Sequence, residues 1–311
     1  MDYEFKFQFK PYHNYFKQPL RTSHGVWWVR KGIIISLTNA KGFTSRGEIA
    51  PLPWFGSETL AQATEFCRQV GETIKREEIM AIGDRLPCCQ FALESAYLGL
   101  NQSSIKNEVN EVQNLDFCYL LPAGAGALTA WSDLVRDNSA ITFKWKIGVL
   151  PLKQELKILQ QLSSAVPPRT KLRLDANGGL SRSQAEELLS LTDSLPNIEF
   201  IEQPLAPESL GDMYRLSQSH STVLALDESV ASFRQLQQLH QQGWQGVFVI
   251  KAAIMGYPRR LIQFCQQNAL DIVFSSVFET EVARQTVLDL SQQLVHPRAL
   301  GFGVQHIFQA E

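Results

Sequence analysis

Four apolar, strand-like runs end on an ionisable residue at a nearly constant interval. They are Leu172-Arg173-Leu174-Asp175, Phe200-Ile201-Glu202, Leu224-Ala225-Leu226-Asp227 and Val247-Phe248-Val249-Ile250-Lys251. Asp175 to Glu202 is 27 residues, Glu202 to Asp227 is 25, and Asp227 to Lys251 is 24. Runs at Ile141–Ile147 and Ile272–Ser275 extend the rhythm. Between them lie helix-start signals: Ser181-Arg182-Ser183-Gln184 and Ser232-Phe233-Arg234-Gln235 both fit the reciprocal serine–glutamine cap. Strand, helix, strand, helix is the mark of a parallel sheet. A barrel of ~250 residues in eight units spends about 31 on each, close to the spacing seen. In a closed barrel the strand ends converge on one rim, whereas in an open sheet they spread along an edge. Charged residues recurring at that one position favour the barrel, which predicts an α/β fold from about residue 113 to 293.

The chain before it reads differently. Tyr3, Phe5, Phe7 and Phe9 alternate with Glu4, Lys6, Gln8 and Lys10, giving one apolar face at period two. Extended runs follow at Trp27–Leu37 and Phe43–Ala50. Ser57 is placed to cap a helix reaching about Ile74, and Cys88–Leu100 reads as a second helix. Strands followed by helices predict an α+β domain over residues 1–112. A net charge of -2 and the lack of any Lys/Arg block argue against a nucleic-acid partner. Ile33-Ile34-Ile35 is the densest apolar run near the N-terminus and is far too short to span a bilayer. No signal peptide is visible, and five cysteines without a Cys-x-x-Cys pair suit a reducing, cytoplasmic setting. The six histidines show no paired spacing at strand ends, and nothing fixes an oligomeric state.

The rim carries the chemistry. Any one of Asp175, Glu202 and Asp227 reads well enough as a helix cap or a loop ion pair. Three at matched phase would repel one another strongly, and a hard divalent cation relieves that; all-oxygen ligation suits Mg²⁺ or Mn²⁺. Lys144-Trp145-Lys146 lies on a strand, so both amines share one face. At a backbone separation of about 6.6 Å and an effective dielectric of 20, two ammonium groups repel by ~2.5 kcal/mol, which favours the neutral form of one. Charged gatekeepers on an edge strand are the plainer reading of that pair. Lys251 closes an apolar strand flanked by helices, where lysine is rarely placed without a task. Counted round the rim, Lys146 precedes the acids and Lys251 follows them. A cation between opposed amines suits removal of a proton α to the carboxylate of a small molecule, because the resulting enediolate needs positive charge beside its two oxygens.

Lys144-Trp145-Lys146, Asp175, Glu202, Asp227-Glu228 and Lys251, in this order and spacing, resemble the enolase superfamily and, in detail, its muconate-lactonising branch. A lysine base working with Mg²⁺ is the known pattern of that superfamily. The resemblance implies a modified (β/α)7β TIM-like barrel under an α+β capping domain that the C-terminal segment 294–311 completes. It implies Asp175, Glu202 and Asp227 as metal ligands, Lys146 as the base that later returns its proton, Lys251 as an electrostatic group, and Lys144 as a modulator of Lys146. The stretch Gly47–Leu60, Ile254-Met255-Gly256 after Lys251, and Ser275-Ser276 with Glu279 are similar to a hydro-lyase of the branch. Its reaction removes water from 2-succinyl-6-hydroxy-2,4-cyclohexadiene-1-carboxylate, in menaquinone or phylloquinone synthesis. Substrate contacts are expected from Asn177, Ser275, Ser276, Trp54, Phe55 and Arg173, the last with a buried ion pair beneath the metal as its alternative. Ala252 stands where many relatives carry Pro, and Phe278 and Thr280 are larger than the pattern suggests. The same lysines would serve an N-acylamino acid racemase or dipeptide epimerase. A non-catalytic binding barrel and a Schiff-base lyase using Lys251 are the readings from other classes.

Overall fold

The computed structural model describes residues 4–22, 25–102, 115–138, 141–294, 298–304 and 307–309. Tyr3, His24, His296, His306 and part of the segment 294–311 lie outside them.

The first domain is an antiparallel sheet with helices on one face. Its strands are β1 (Glu4–Thr22), β2 (Gly25–Thr38), β3 (Thr44–Ile49) and β4 (Thr73–Lys75), in the order β3-β2-β1-β4. Its helices are α1 (Leu60–Val70), α2 (Arg76–Met80) and α3 (Pro87–Gln102). The alternation in β1 holds: Phe5 and Phe7 are buried and their neighbours exposed. They join Ile33, Ile35, Leu37 and Ile49 in a core shared with Phe91, Ala92 and Ala96 of α3. Burying each large side chain contributes roughly 1.5–3 kcal/mol. β3 has to run almost against the α3 backbone, because a Cβ on Gly47 would stand 2.0 Å from the Ala92 carbonyl oxygen. Only glycine fits there. Helix α1 starts at Thr59, two residues beyond the expected cap, where Thr59 and Gln62 exchange the reciprocal capping bonds. Ser57 instead accepts the Leu52 N–H at 2.8 Å. Glu58 turns away to receive the Cys88 and Cys89 N–H groups at the start of α3.

The second domain alternates strand and helix. Its strands are β5 (Phe117–Leu120), β6 (Thr142–Lys146), β7 (Lys171–Asp175), β8 (Ile198–Glu202), β9 (Leu224–Leu226), β10 (Val247–Ile250), β11 (Ile272–Phe274) and β12 (Leu300–Gly303). The helices between them are α4 (Ala127–Asn138), α5 (Leu152–Ala165), α6 (Arg182–Thr192), α7 (Leu210–Ser219), α8 (Phe233–Gln241), α9 (Pro258–Asn268) and α10 (Glu281–Ser291). All pairings are parallel, in the order β11-β10-β9-β8-β7-β6-β5-β12, and a parallel bridge between Ser275 and Gly301 closes the circle. This is the (β/α)7β barrel. The reciprocal cap forms in full at Ser181, whereas Ser232 accepts the Gln235 N–H and donates its own hydroxyl to Gln235 Oε1.

One expectation changes at the C-terminus. Gly301-Phe302-Gly303 is strand, so the segment 294–311 divides between the domains rather than serving the cap alone. Leu300–Gly303 supplies the eighth barrel strand beside β5, and Phe308 bridges to Phe16 on β1. The glycines have a packing reason, since a Cβ on Gly303 would lie 2.4 Å from the Cys118 carbonyl oxygen.

Period two sorts each barrel strand. Leu172, Leu174, Ile201, Leu226, Phe248 and Ile250 face the helices in the large core. Phe200, Ala225, Val247, Val249 and Val273 form a separate cluster that plugs the barrel centre. Two places beyond the last plug residue of each of these strands, the same face reaches the rim: Glu202, Asp227, Lys251 and Ser275.

Candidate active site

The rim brings the expected ionisable groups together. From β6, the Lys144 ammonium donates to Asp175 Oδ2 on β7 at 3.1 Å and to Glu202 Oε1 on β8 at 2.7 Å. Lys146, one rim position further out, donates to Asn177 Oδ1 and lies 3.7 Å from Asp175 Oδ2. Across the opening, Lys251 donates to Asp227 Oδ1. Lys146 is the most open of the three amines, with 38% of its side chain exposed against 19% for Lys144 and 12% for Lys251. It is the one a substrate can reach without displacing a carboxylate.

Burial and neighbours polarise the acids in opposite senses. Burial works against the charge of Asp175, but the Lys144 and Lys146 ammonium groups outweigh it and hold that carboxyl below its usual range. Glu202 goes the other way: burial first, then the charge of Asp175, push it up. Asp227 and Glu228 are also raised, with burial the leading cause in each. Burial disfavours charge on Lys144, yet Asp175, Glu202 and Asp227 together keep its pKa well above the usual lysine value. Lys144 is thus a fixed cation clamped between two acids.

Two groups, Glu228 and Gln203, had no role assigned from the sequence. Glu228 lines the opening, accepts from Asn177 Nδ2 at 3.1 Å, and leaves Oε2 buried without a partner among the described residues. The Asp227-Glu228 doublet was its only signal. Gln203, fully buried, accepts the N–H groups of Asp227 and Ser229 and donates to Leu205 O and Ser229 Oγ. It fixes the backbone on which Asp227 stands. Asn177 holds its amide inward from a left-handed φ of 45°, a conformation asparagine tolerates better than most residues.

Arg173 is not at the opening. It lies one layer below, 1% exposed, donating to Glu199 Oε2 at 2.6 Å and stacked 4.8 Å over Phe200. The reason is an irregularity in β8: Leu172 pairs with Ile198 but Arg173 with Phe200, so Glu199 is the extra residue and its carboxylate is available to Arg173. The expected substrate contact is replaced by its alternative, a buried ion pair beneath the rim.

Above the rim the first domain roofs a cavity of about 200 Å³. Leu20, Trp27, Leu52, Trp54 and Phe55 descend from that domain. Lys144, Lys146, Asp175, Asn177, Asp227, Glu228 and Lys251 form the polar floor, with Ser275, Ser276, Phe278, Gly301, Val304 and Ile307 on one side. Ser276 Oγ is committed locally, donating to Glu279 Oε2 at 2.9 Å and accepting from Phe278 N–H. Ser275 is the freer of the two expected serines. Phe278, held at φ 60°, packs edge-on against Trp27 and Phe16 and so closes the wall that its size had put in question.

The donor set fits a hard divalent cation. Asp175, Glu202 and Asp227 offer only oxygen from three adjacent strands, and ammonium groups already serve them as counter-charges. The unpartnered Glu228 oxygen adds an acceptor beside them. Among the described residues the three acids are not closed to ligand spacing about one point. The lysine amines stand between them instead.

Comparison with known proteins agrees with this geometry. Residues 129–300 match the family described as enolase C-terminal domain-like, and residues 20–100 match the MenC N-terminal domain. The o-succinylbenzoate synthase of Thermosynechococcus vestitus is 37% identical over 303 residues, covering 96% of this chain and 92% of the relative. A crystal structure of the o-succinylbenzoate synthase of Thermosynechococcus elongatus, complexed with Mg in its active site, superposes with a TM-score of 0.90 at 36% identity, covering 98% and 94% of the two chains. The L-Ala-D/L-Glu epimerase of Bacillus subtilis, 16% identical with a TM-score of 0.83 over 100% and 92%, shares the fold.

Proposed function

The chain belongs to the o-succinylbenzoate synthase family of the enolase superfamily, and from that premise we propose how its own residues carry the family reaction. The enzyme removes water from 2-succinyl-6-hydroxy-2,4-cyclohexadiene-1-carboxylate to give o-succinylbenzoate, in menaquinone or phylloquinone synthesis.

Asp175, Glu202 and Asp227 would hold Mg²⁺. When bound, the ion supplies positive charge beside the carboxylate oxygens that become electron-rich as the α-proton leaves. Lys146 takes that proton: the C–H bond breaks and its electron pair moves toward the carboxylate. The same amine, now an ammonium, returns the proton to the departing hydroxyl as the C–O bond breaks, and the ring becomes aromatic. Asn177 Oδ1 fixes the amine through this exchange. Lys251 approaches from the opposite side and favours the developing charge. Lys144 remains a cation between Asp175 and Glu202 and keeps those carboxylates in register with Lys146. The apolar roof excludes water from the ring.

The observation that carries this reading is the opposition of Lys146 and Lys251 across three buried carboxylates on adjacent strands. Purified protein assayed with the cyclohexadiene acid tests it. Turnover is expected with Mg²⁺, and is expected to vanish with EDTA and in Lys146→Ala. Turnover that persists in Lys146→Ala rejects the base. Rapid conversion of N-succinylamino acids alone moves the chemistry to racemisation, for which the same lysines are placed.

A further inference from the structure

The Lys251 ammonium lies 4.1 Å from the centroid of the Phe55 ring. The two residues belong to different domains. Lys251 ends β10, while Phe55 sits in a short 3₁₀ turn, Pro53–Phe55, of the capping domain. That turn is built to hold its shape: Phe55 N–H donates to Leu52 O at 2.8 Å, and Gly56 closes it at φ 82°. Phe55 also lines a narrow crevice with Val230, Val249 and Ile254 beside Asp227. The ammonium therefore has a carboxylate on one side and an aromatic face on another, in a setting where only 12% of its side chain meets solvent. A cation so desolvated gains far more from a ring quadrupole than an exposed one does.

We propose that Phe55 is a positioning residue for the dehydration. Its ring face holds the Lys251 ammonium against the cavity wall, so this charge stands opposite Lys146 only while the capping turn is seated on the barrel. The role rests on the family reaction above and adds a task beyond lining the substrate cavity. Charge placed by the ring acts on the developing anion more than on bound substrate, so its loss lowers kcat with little change in KM.

Progressive fluorination of Phe55 is the test, because it drains the ring face of negative charge at nearly constant size. Log kcat is expected to fall stepwise from phenylalanine to the trifluoro ring, ending about tenfold down, with KM changed less than about twofold. Phe55→Leu is expected to lose a similar factor, and Phe55→Tyr to stay within about threefold of the parent. A reading independent of turnover comes from ¹³C-labelled lysine. The Lys251 ε-methylene resonance, identified by its loss in Lys251→Arg, is expected to be ring-shifted in the parent and unshifted in Phe55→Leu. A flat fluorination series in an active protein, or an unshifted resonance in the parent, overturns the role alone. A parent without dehydration activity whose resonance is ring-shifted overturns the family reaction and this role with it.

Discussion

At the scale of single residues, the site is a set of buried charges whose partners decide what each can do. Asn177 is the clearest case outside the lysines and acids. Its oxygen accepts from Lys146 while its amide donates to Glu228, so it sets where the base points. Asn177→Leu keeps the volume and removes both bonds. Its kcat is expected to fall about 10- to 100-fold, as with other groups that orient a reacting one, while Mg²⁺ affinity changes less. A kcat within twofold of the parent would dismiss that orienting role. Glu279 offers a pH test away from the metal ligands. Burial raises its pKa from the ordinary 4.5 to about 7, against the bonds from Ser276 and Val277. The folded protein then retains a proton that the unfolded chain releases near 4.5. The stabilising contribution is complete below that pH and is lost as pH rises through about 7. Denaturant titrations are expected to show stability falling by ~1–3 kcal/mol between these limits, and a flatter profile in Glu279→Gln. Asp175, Glu202 and Asp227 were legible because each ends an apolar strand. Gln203 was not, since a polar residue satisfied by backbone N–H groups leaves no periodic trace.

At the scale of elements, the strands that hold the site were readable and the joints between domains were not. β10 is a short apolar run closed by Lys251, β7 alternates leucine with Lys171, Arg173 and Asp175, and period two alone put Asp175 and Lys251 inward. β5 and β12 carry no rim charge in that pattern, and the glycines of β12 resemble a turn until β5 is seen beside it. The join of the cap to α10 depends on Glu48, which no local pattern marks. From β3, fully buried, its carboxylate accepts the N–H of Thr280 at 2.9 Å, the Thr280 hydroxyl at 2.6 Å, the N–H of Ala283 at 3.1 Å and the Tyr12 hydroxyl. An anion at a helix N-terminus is favoured by the N–H groups that have no helical partner. Glu48→Ala leaves those donors buried and unpaired, so a loss of ~3–5 kcal/mol is expected on unfolding. Glu48→Gln retains acceptor capacity and is expected to lose less. Equal losses in both variants would show that packing, rather than charge, joins the domains here.

At the scale of the whole molecule, catalysis needs three parts together: the acids of the barrel, the amines between them, and the roof that excludes water. The cation links the first two. Lys144 and Lys251 now neutralise carboxylates that an ion would also neutralise, so binding Mg²⁺ exchanges one set of counter-charges for another. It is therefore coupled to proton release, because burial raises Glu202 and Asp227 and both must be ionised to act as ligands. Affinity is expected to strengthen as pH rises and to weaken in acid. Ligand binding to the folded state alone stabilises by RT ln(1 + [L]/Kd), about 2.7 kcal/mol at a hundredfold excess over Kd. For a chain of 311 residues, Mg²⁺ is then expected to raise the melting temperature by about 4 °C, at roughly 1.5 °C per kcal/mol. EDTA should reverse the shift, and Asp227→Asn should abolish it while also lowering the unliganded melt, because the buried Lys251 ammonium loses its carboxylate. A calorimetric scan of both proteins across pH 6 to 8 reads all of these. A parent whose melting temperature ignores Mg²⁺ throughout would mean that the lysines alone neutralise the acids. The opposed amines would then have to stabilise the developing charge without a cation between them.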